Sequence, residues 1–164
     1  MATSLGNVMP ASLFRRFDSR SPDPAEGFTV LLISVSEEGW PHLAMLSVGE
    51  VLAIGPRELR LALWPRSNSA SNLARDRKAP LAMVDEQAGF ALRCSVQCGP
   101  QPLQVADGEL AAFQLRVEDV LKDAVPYAVL EHGITFRLVD SSSVLGRWRE
   151  TLAALNNAAE MSGS

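Results

Sequence analysis

Apolar and polar positions along this chain alternate mostly with a period of two, the signature of strands. Leu59, Leu61 and Leu63 alternate with Arg60, Ala62 and Trp64. Pro65 follows and stops the run, because proline cannot donate to a ladder. Residues 28–36 (FTVLLISVS) are apolar on both faces, so a central, well-covered strand is expected there. Glu37, Glu38 and Gly39 give a turn, and residues 42–48 form the second arm of a hairpin. Gly49 and Glu50 break that arm and residues 51–54 resume it. Residues 81–84 read as a further strand. Phe90, Leu92, Cys94 and Val96 alternate with polar or small neighbours as another, interrupted at Gly99, Pro100, Gln101 and Pro102. Residues 110–121 fit either a helix or a strand, and we take a strand from Phe113. Ile134, Phe136 and Leu138 alternate as the last strand, with a helical turn before it over 127–131.

Helical spacing is confined to three places. Pro10 opens a short helix whose apolar face is Leu13, Phe14 and Phe17. Ser67 or Ser69 can cap a helix carrying Leu73 and Ala74, ended by Pro80. Asp140 and the serines 141–143 cap a last helix with Val144, Leu145, Trp148, Leu152 and Leu155 on one face. Strands in series with little helix predict a mainly β fold. The expected form is a six-stranded antiparallel barrel, closed or nearly closed, so that apolar edges are not left open. The expected organisation is an N-terminal helix and loop over 1–27, one barrel domain over 28–155, and a flexible tail over 156–164.

At 164 residues, 47% of them hydrophobic, the chain can bury a real core and is not a disordered segment. Its formal net charge of -4 argues against nucleic acid as the main partner. No apolar run is long enough to span a membrane. The first residues lack the basic start and apolar stretch of a secretory signal, so a cytoplasmic location is expected. Cys94 and Cys98 lie four apart on an expected strand, beyond disulfide reach, and have no metal-ligand spacing.

Chemistry concentrates between the strand at 59–64 and its following helix. Ser67, Asn68, Ser69, Ser71 and Asn72 form a corner dense in small hydrogen-bonding side chains. Such a corner, opening a helix after a strand, offers free backbone N–H groups and the positive end of the helix dipole to a phosphate. The same residues also suit plain capping. His42 and His132 read as a strand and a turn residue. Arg75, Arg77 and Lys78 read as a solvated helix end. No Ser/His/Asp set and no P-loop is found.

The order of Gly39-Trp40-Pro41-His42 before one strand, LRLALW in another, and Ser67-Asn68-Ser69-Ala70-Ser71-Asn72-Leu73 after it resembles the FMN-binding split-barrel family related to pyridoxamine 5'-phosphate oxidase. VEDVLKD at 117–123 and GITFRL at 133–138 resemble that family's later strands. The resemblance implies a Greek-key-like split barrel, dimeric, with flavin sites at the subunit interface. By position, Ala44, Met45, Leu46 and Ser47 would lie along the isoalloxazine ring, Leu63 and Trp64 beside it, and Ser67, Asn68, Ser69 and Asn72 at the ribityl phosphate. The oxidase carries basic residues near the positions of Ala44, Gly49, Asn68 and Ser69. Here neutral hydroxyls and amides must serve, helped by Arg66, Arg75 or a basic residue of the other subunit.

The expected function is therefore that of an FMN-dependent oxidoreductase acting as a homodimer on a small molecule, with no metal. The alternatives are a non-catalytic module for flavin, deazaflavin or haem, and a cofactor-free dimeric interaction protein.

Overall fold

The computed structural model describes residues 1–18 and 26–158. The expected proline-rich loop over 19–25 and the end of the expected tail, 159–164, lie outside the described residues. Eight strands form one sheet: β1 (Ala2–Ser4), β2 (Val30–Val35), β3 (Pro41–Leu46), β4 (Val51–Gly55), β5 (Glu58–Leu63), β6 (Leu81–Asp85), β7 (Ala88–Val105) and β8 (Gly108–Asp123). Their order is β3-β2-β6-β7-β8-β5-β4, all antiparallel, with β1 paired to β8 off that path. The expectation of six strands is thus corrected to eight.

The sheet does not close by hydrogen bonds, since β3 and β4 remain its edges. It nevertheless wraps a single core. Leu46 at one edge and Val51 and Ala53 at the other belong to the same buried cluster as Leu32, Leu61, Leu92 and Phe113. Closure by packing rather than by pairing is what leaves the barrel split.

Four local expectations are corrected. The interruption at 99–102 does not occur. β7 runs through it, and register shifts between Arg93 and Cys94 and again between Val96 and Gln101 absorb the irregular residues as bulges. β8 starts at Gly108, five residues before Phe113, because its hairpin with β7 pairs back to Val105. Residues 134–139 are not a strand. Only Thr135 bridges, to Phe28. The helical turn expected over 127–131 is instead a tight turn closed by a bridge between Val125 and Ala128.

The three helices form where capping and spacing place them. α1 (Ala11–Phe17) buries Leu13 and Phe17 in the core. Arg16 of the same helix is half-buried. It pairs with buried Asp85 at 2.6 Å and lies 4.4 Å over the Phe28 ring. α2 (Asn68–Asp76) drops Ala70 and Leu73 into the same core. α3 (Ser141–Asn157) begins with Asp140 accepting from the Ser143 N–H at 3.2 Å. Its far end is held by buried Arg60, whose Nη1 donates to the Leu155 carbonyl at 2.6 Å and the Ala158 carbonyl at 3.3 Å. A guanidinium there meets the negative end of the helix dipole.

Helix α3 covers the outer face of β4 and β5, where Leu52, Ala62, Leu103, Ala112, Leu152 and Leu155 form a second cluster. Among the described residues the outer face of β2 and β3 has no such cover. Leu31 and Ile33 are half-buried there, and Val35, Leu43 and Met45 are exposed at 45%, 58% and 66%. That face continues over Ala82, Val84, Ala91 and Leu121 into an apolar depression of about 520 Å³.

Candidate functional site

The serine corner sits where β5 gives way to α2. The Ser67 N–H donates to the Trp64 carbonyl at 3.0 Å, which closes the turn over Pro65 and Arg66. Ser67 Oγ then accepts from the Ala70 N–H at 3.1 Å, the expected N-cap. Its hydroxyl proton is left to donate elsewhere. The N–H groups of Asn68 and Ser69 have no partner among the described residues, as the first turn of a helix dictates. Ser69 is buried behind it.

Asn72 anchors the helix. Its Nδ2 donates to Ser34 Oγ on β2 at 2.9 Å, and its Oδ1 accepts from Arg75 Nη2 at 3.2 Å. Arg75 also holds Asp76 at 2.9 Å and the Val35 carbonyl. Their hydrogen bond raises the Arg75 pKa and lowers that of Asp76, so each keeps the other charged. Arg75 is thereby committed to the scaffold, and Arg66, exposed beside Ser67, is the guanidinium nearest in sequence to the open N–H groups. Arg77 ends the helix in the left-handed region at φ 56°.

The remaining residues named for the ring divide by strand parity. Leu46 and Leu63 point into the core, and Ala44 packs against it, half-buried. Met45 and Trp64 stand on the surface at 66% and 65% exposure. Four consecutive strand residues cannot all present side chains to one ring, because they alternate between faces. Asn68 is exposed. Ser47 is buried and donates through its N–H and Oγ to Glu50 Oε2 at 2.6 and 2.9 Å. The corner side chains Ser67, Ser69 and Asn72 therefore cluster as a unit, while Met45 is the outward residue of the β3 set.

Two residues with chemical potential carry little sequence signal. Glu50 was a loop breaker in the sequence. In the structure burial raises its pKa, opposed by the two hydrogen bonds from Ser47. Arg60 sat in an apolar alternation, and a charged residue facing out of an otherwise apolar strand was its one clue. The thiols of Cys94 and Cys98 are free, and burial pushes Cys94 up to about 12, so it is inert as a thiolate at neutral pH. Among the described residues no group of three His, Cys, Asp or Glu side chains is placed to hold a metal ion. No helix among them is long and apolar enough to cross a membrane.

An open, core-wrapping antiparallel sheet with a short helix after the fifth strand defines the split-barrel class. A Lactobacillus delbrueckii protein provisionally named a pyridoxamine 5'-phosphate oxidase superposes with a TM-score of 0.51 at 14% identity, covering 71% of this chain and 97% of its own. A HupZ variant from Group A Streptococcus gives 0.50 at 11% identity, covering 62% and 95%. Both likenesses concern the fold alone. No family model matches the sequence. The uncharacterized protein YclD of Bacillus subtilis is 33% identical over 150 residues, 91% of this chain and 96% of its own, and this chain belongs to the same family.

Proposed function

We propose that this chain is an FMN-binding protein that works as a flavin-dependent oxidoreductase, two copies assembling around the cofactor. The observation that carries the reading is the open N-terminus of α2, where the Asn68 and Ser69 N–H groups have no hydrogen-bond partner among the described residues. An FMN phosphate needs such donors. Hydrogen bonds to an anion contribute about 1.5–3 kcal/mol each, more than those between neutral groups. The donor set fits the group in kind. Ser67 and Ser69 would donate hydroxyl protons, Asn68 and Ser69 their main-chain N–H groups, and Arg66 would supply the positive charge.

Bound FMN would supply the electron transfer. The chain's own residues would bind, orient and shield it. Asn72, tied to Ser34, fixes the angle of α2 against β2. Met45 and Trp64 are the exposed large apolar side chains among the residues named for the ring. A second copy seated on the bare face of β2 and β3 would cover Leu43 and Met45 and exclude water from the ring. Apolar area left open on that face supports this arrangement.

The test is the absorption spectrum of the purified protein with and without added FMN. A bound flavin spectrum retained after dialysis, with dissociation in the micromolar range, is expected. No yellow colour and no binding at tens of micromolar FMN would remove the reading. A Ser67→Ala/Ser69→Ala variant should lose about tenfold or more in affinity with its circular dichroism unchanged.

A further inference from the structure

A second cavity, of about 240 Å³, opens beneath α3. Its walls come from four separate parts of the chain: the turn at Gly49 and Glu50, the end of β5 at Ala62 and Trp64, the β7–β8 hairpin, and the middle of α3. We propose that this cleft binds a small organic cation, an amine carried on a flat apolar body. It rejects anions of the same shape.

Trp64 and Trp148 join Ala62, Val105 and Leu110 in the apolar lining. Trp148 is fixed, because its ring occupies the space a side chain at position 49 would need. A Cβ on Gly49 would lie 2.1 Å from Trp148 Cγ. Phe136 meets the same ring edge-on at 6.4 Å. Trp64 also lines the cleft, with 65% of its surface open. Two indoles in one lining favour an aromatic ligand, and indole rings attract positive charge.

The polar lining has one dominant sign. Glu50, Asp107, Glu109 and Glu150 line the cleft against Arg147 alone. Glu50 is half-buried, while Asp107, Glu109 and Glu150 are exposed. The Glu50 Oε2 takes both Ser47 donors, while Oε1 has no hydrogen-bond partner among the described residues. A half-buried carboxyl with one oxygen unused is stabilised as carboxylate by an arriving ammonium, which offsets the burial that disfavours its charge. A phosphorylated or carboxylated ligand would meet the same groups as repulsion.

The inference goes beyond the flavin reading and is measured without flavin, so either can fail alone. The full-length protein is titrated with benzylamine, benzyl alcohol and benzoate, three probes of nearly one shape and different charge. Binding is followed by tryptophan fluorescence and by calorimetry. Benzylamine is expected to saturate below about 10 mM, at least about tenfold tighter than the alcohol, with benzoate silent. Glu50→Gln should bring benzylamine down to the alcohol's affinity. Because Glu50 also ties the 47–50 turn, an Asp107→Asn/Glu109→Gln variant on the exposed hairpin gives a second readout. It should weaken benzylamine about two- to threefold and reduce the salt dependence of its binding. Equal affinity for benzoate and benzylamine, or no saturation by any probe, would overturn the proposal.

Discussion

The outer face of β4 and β5 and the outer face of β2 and β3 read alike in the sequence, since both pairs carry apolar residues on their two sides. Their fates differ. On β5, Arg60 and Ala62 are buried because α3 lies over them and Arg60 closes the end of that helix. On β2 and β3, Val35, Leu43 and Met45 stay exposed and Ile33 is only half-buried among the described residues. A strand apolar on both faces thus announces that a cover exists. It does not say whether the cover comes from the same chain or from a second one.

That contrast can be broken at either end. The largest effect is expected on the bare face. A Leu43→Glu/Met45→Glu variant should weaken self-association by more than about a hundredfold, because carboxylates would be driven into an apolar contact. It should change the stability of the isolated fold by no more than about 0.5 kcal/mol. Sedimentation equilibrium and urea unfolding read the two quantities separately. On the covered face, Arg60→Ala should cost about 2–3 kcal/mol in urea unfolding. It removes a charged double hydrogen bond and leaves the Leu155 carbonyl unpaired and buried. A loss below about 0.5 kcal/mol would mean that α3 is held by its apolar face alone.

Between the faces sits the corner. Ser67→Ala removes the cap on Ala70 and should lower stability by about 1 kcal/mol, seen as a drop in the urea midpoint. The smallest effect is expected at Glu50. Burial raises its folded-state pKa above the unfolded value, so its contribution is fully present below the unfolded pKa. That contribution is lost as pH rises through the folded one. Glu50→Gln should therefore match the wild type in acid and exceed it in Tm near pH 7. A Tm difference that does not change with pH would contradict that assignment.

How much of this was written in the sequence follows from the range of the forces involved. The hairpin of β2 and β3, the alternation of β5, the Ser67 cap and the Asp140 cap are local, and local patterns reported them. The strand expected at 134–139 has the right alternation and no neighbour. A strand needs a free edge, and that segment gains only the bridge at Thr135. β7 shows the converse. Gly99 and Pro100 look like a stop, yet pairing along β8 on either side carries the strand through as bulges. The site shows the same division. The cap was legible because it is contiguous. The commitment of Arg75 to Val35, the tie from Asn72 to Ser34, and the cleft lined by Trp64 and Trp148 join residues far apart in the chain. Periodicity carries no information about such meetings.

The account rests on one joint claim, that the uncovered face and the open end of α2 make a flavin site completed by a second copy. Sedimentation equilibrium of the protein with FMN, recorded at the flavin absorbance rather than the protein absorbance, tests both halves at once. Flavin sedimenting with a particle of twice the 17.7 kDa chain mass is the predicted result. Flavin that stays at the mass of the free cofactor while the protein sediments as a single chain would contradict it.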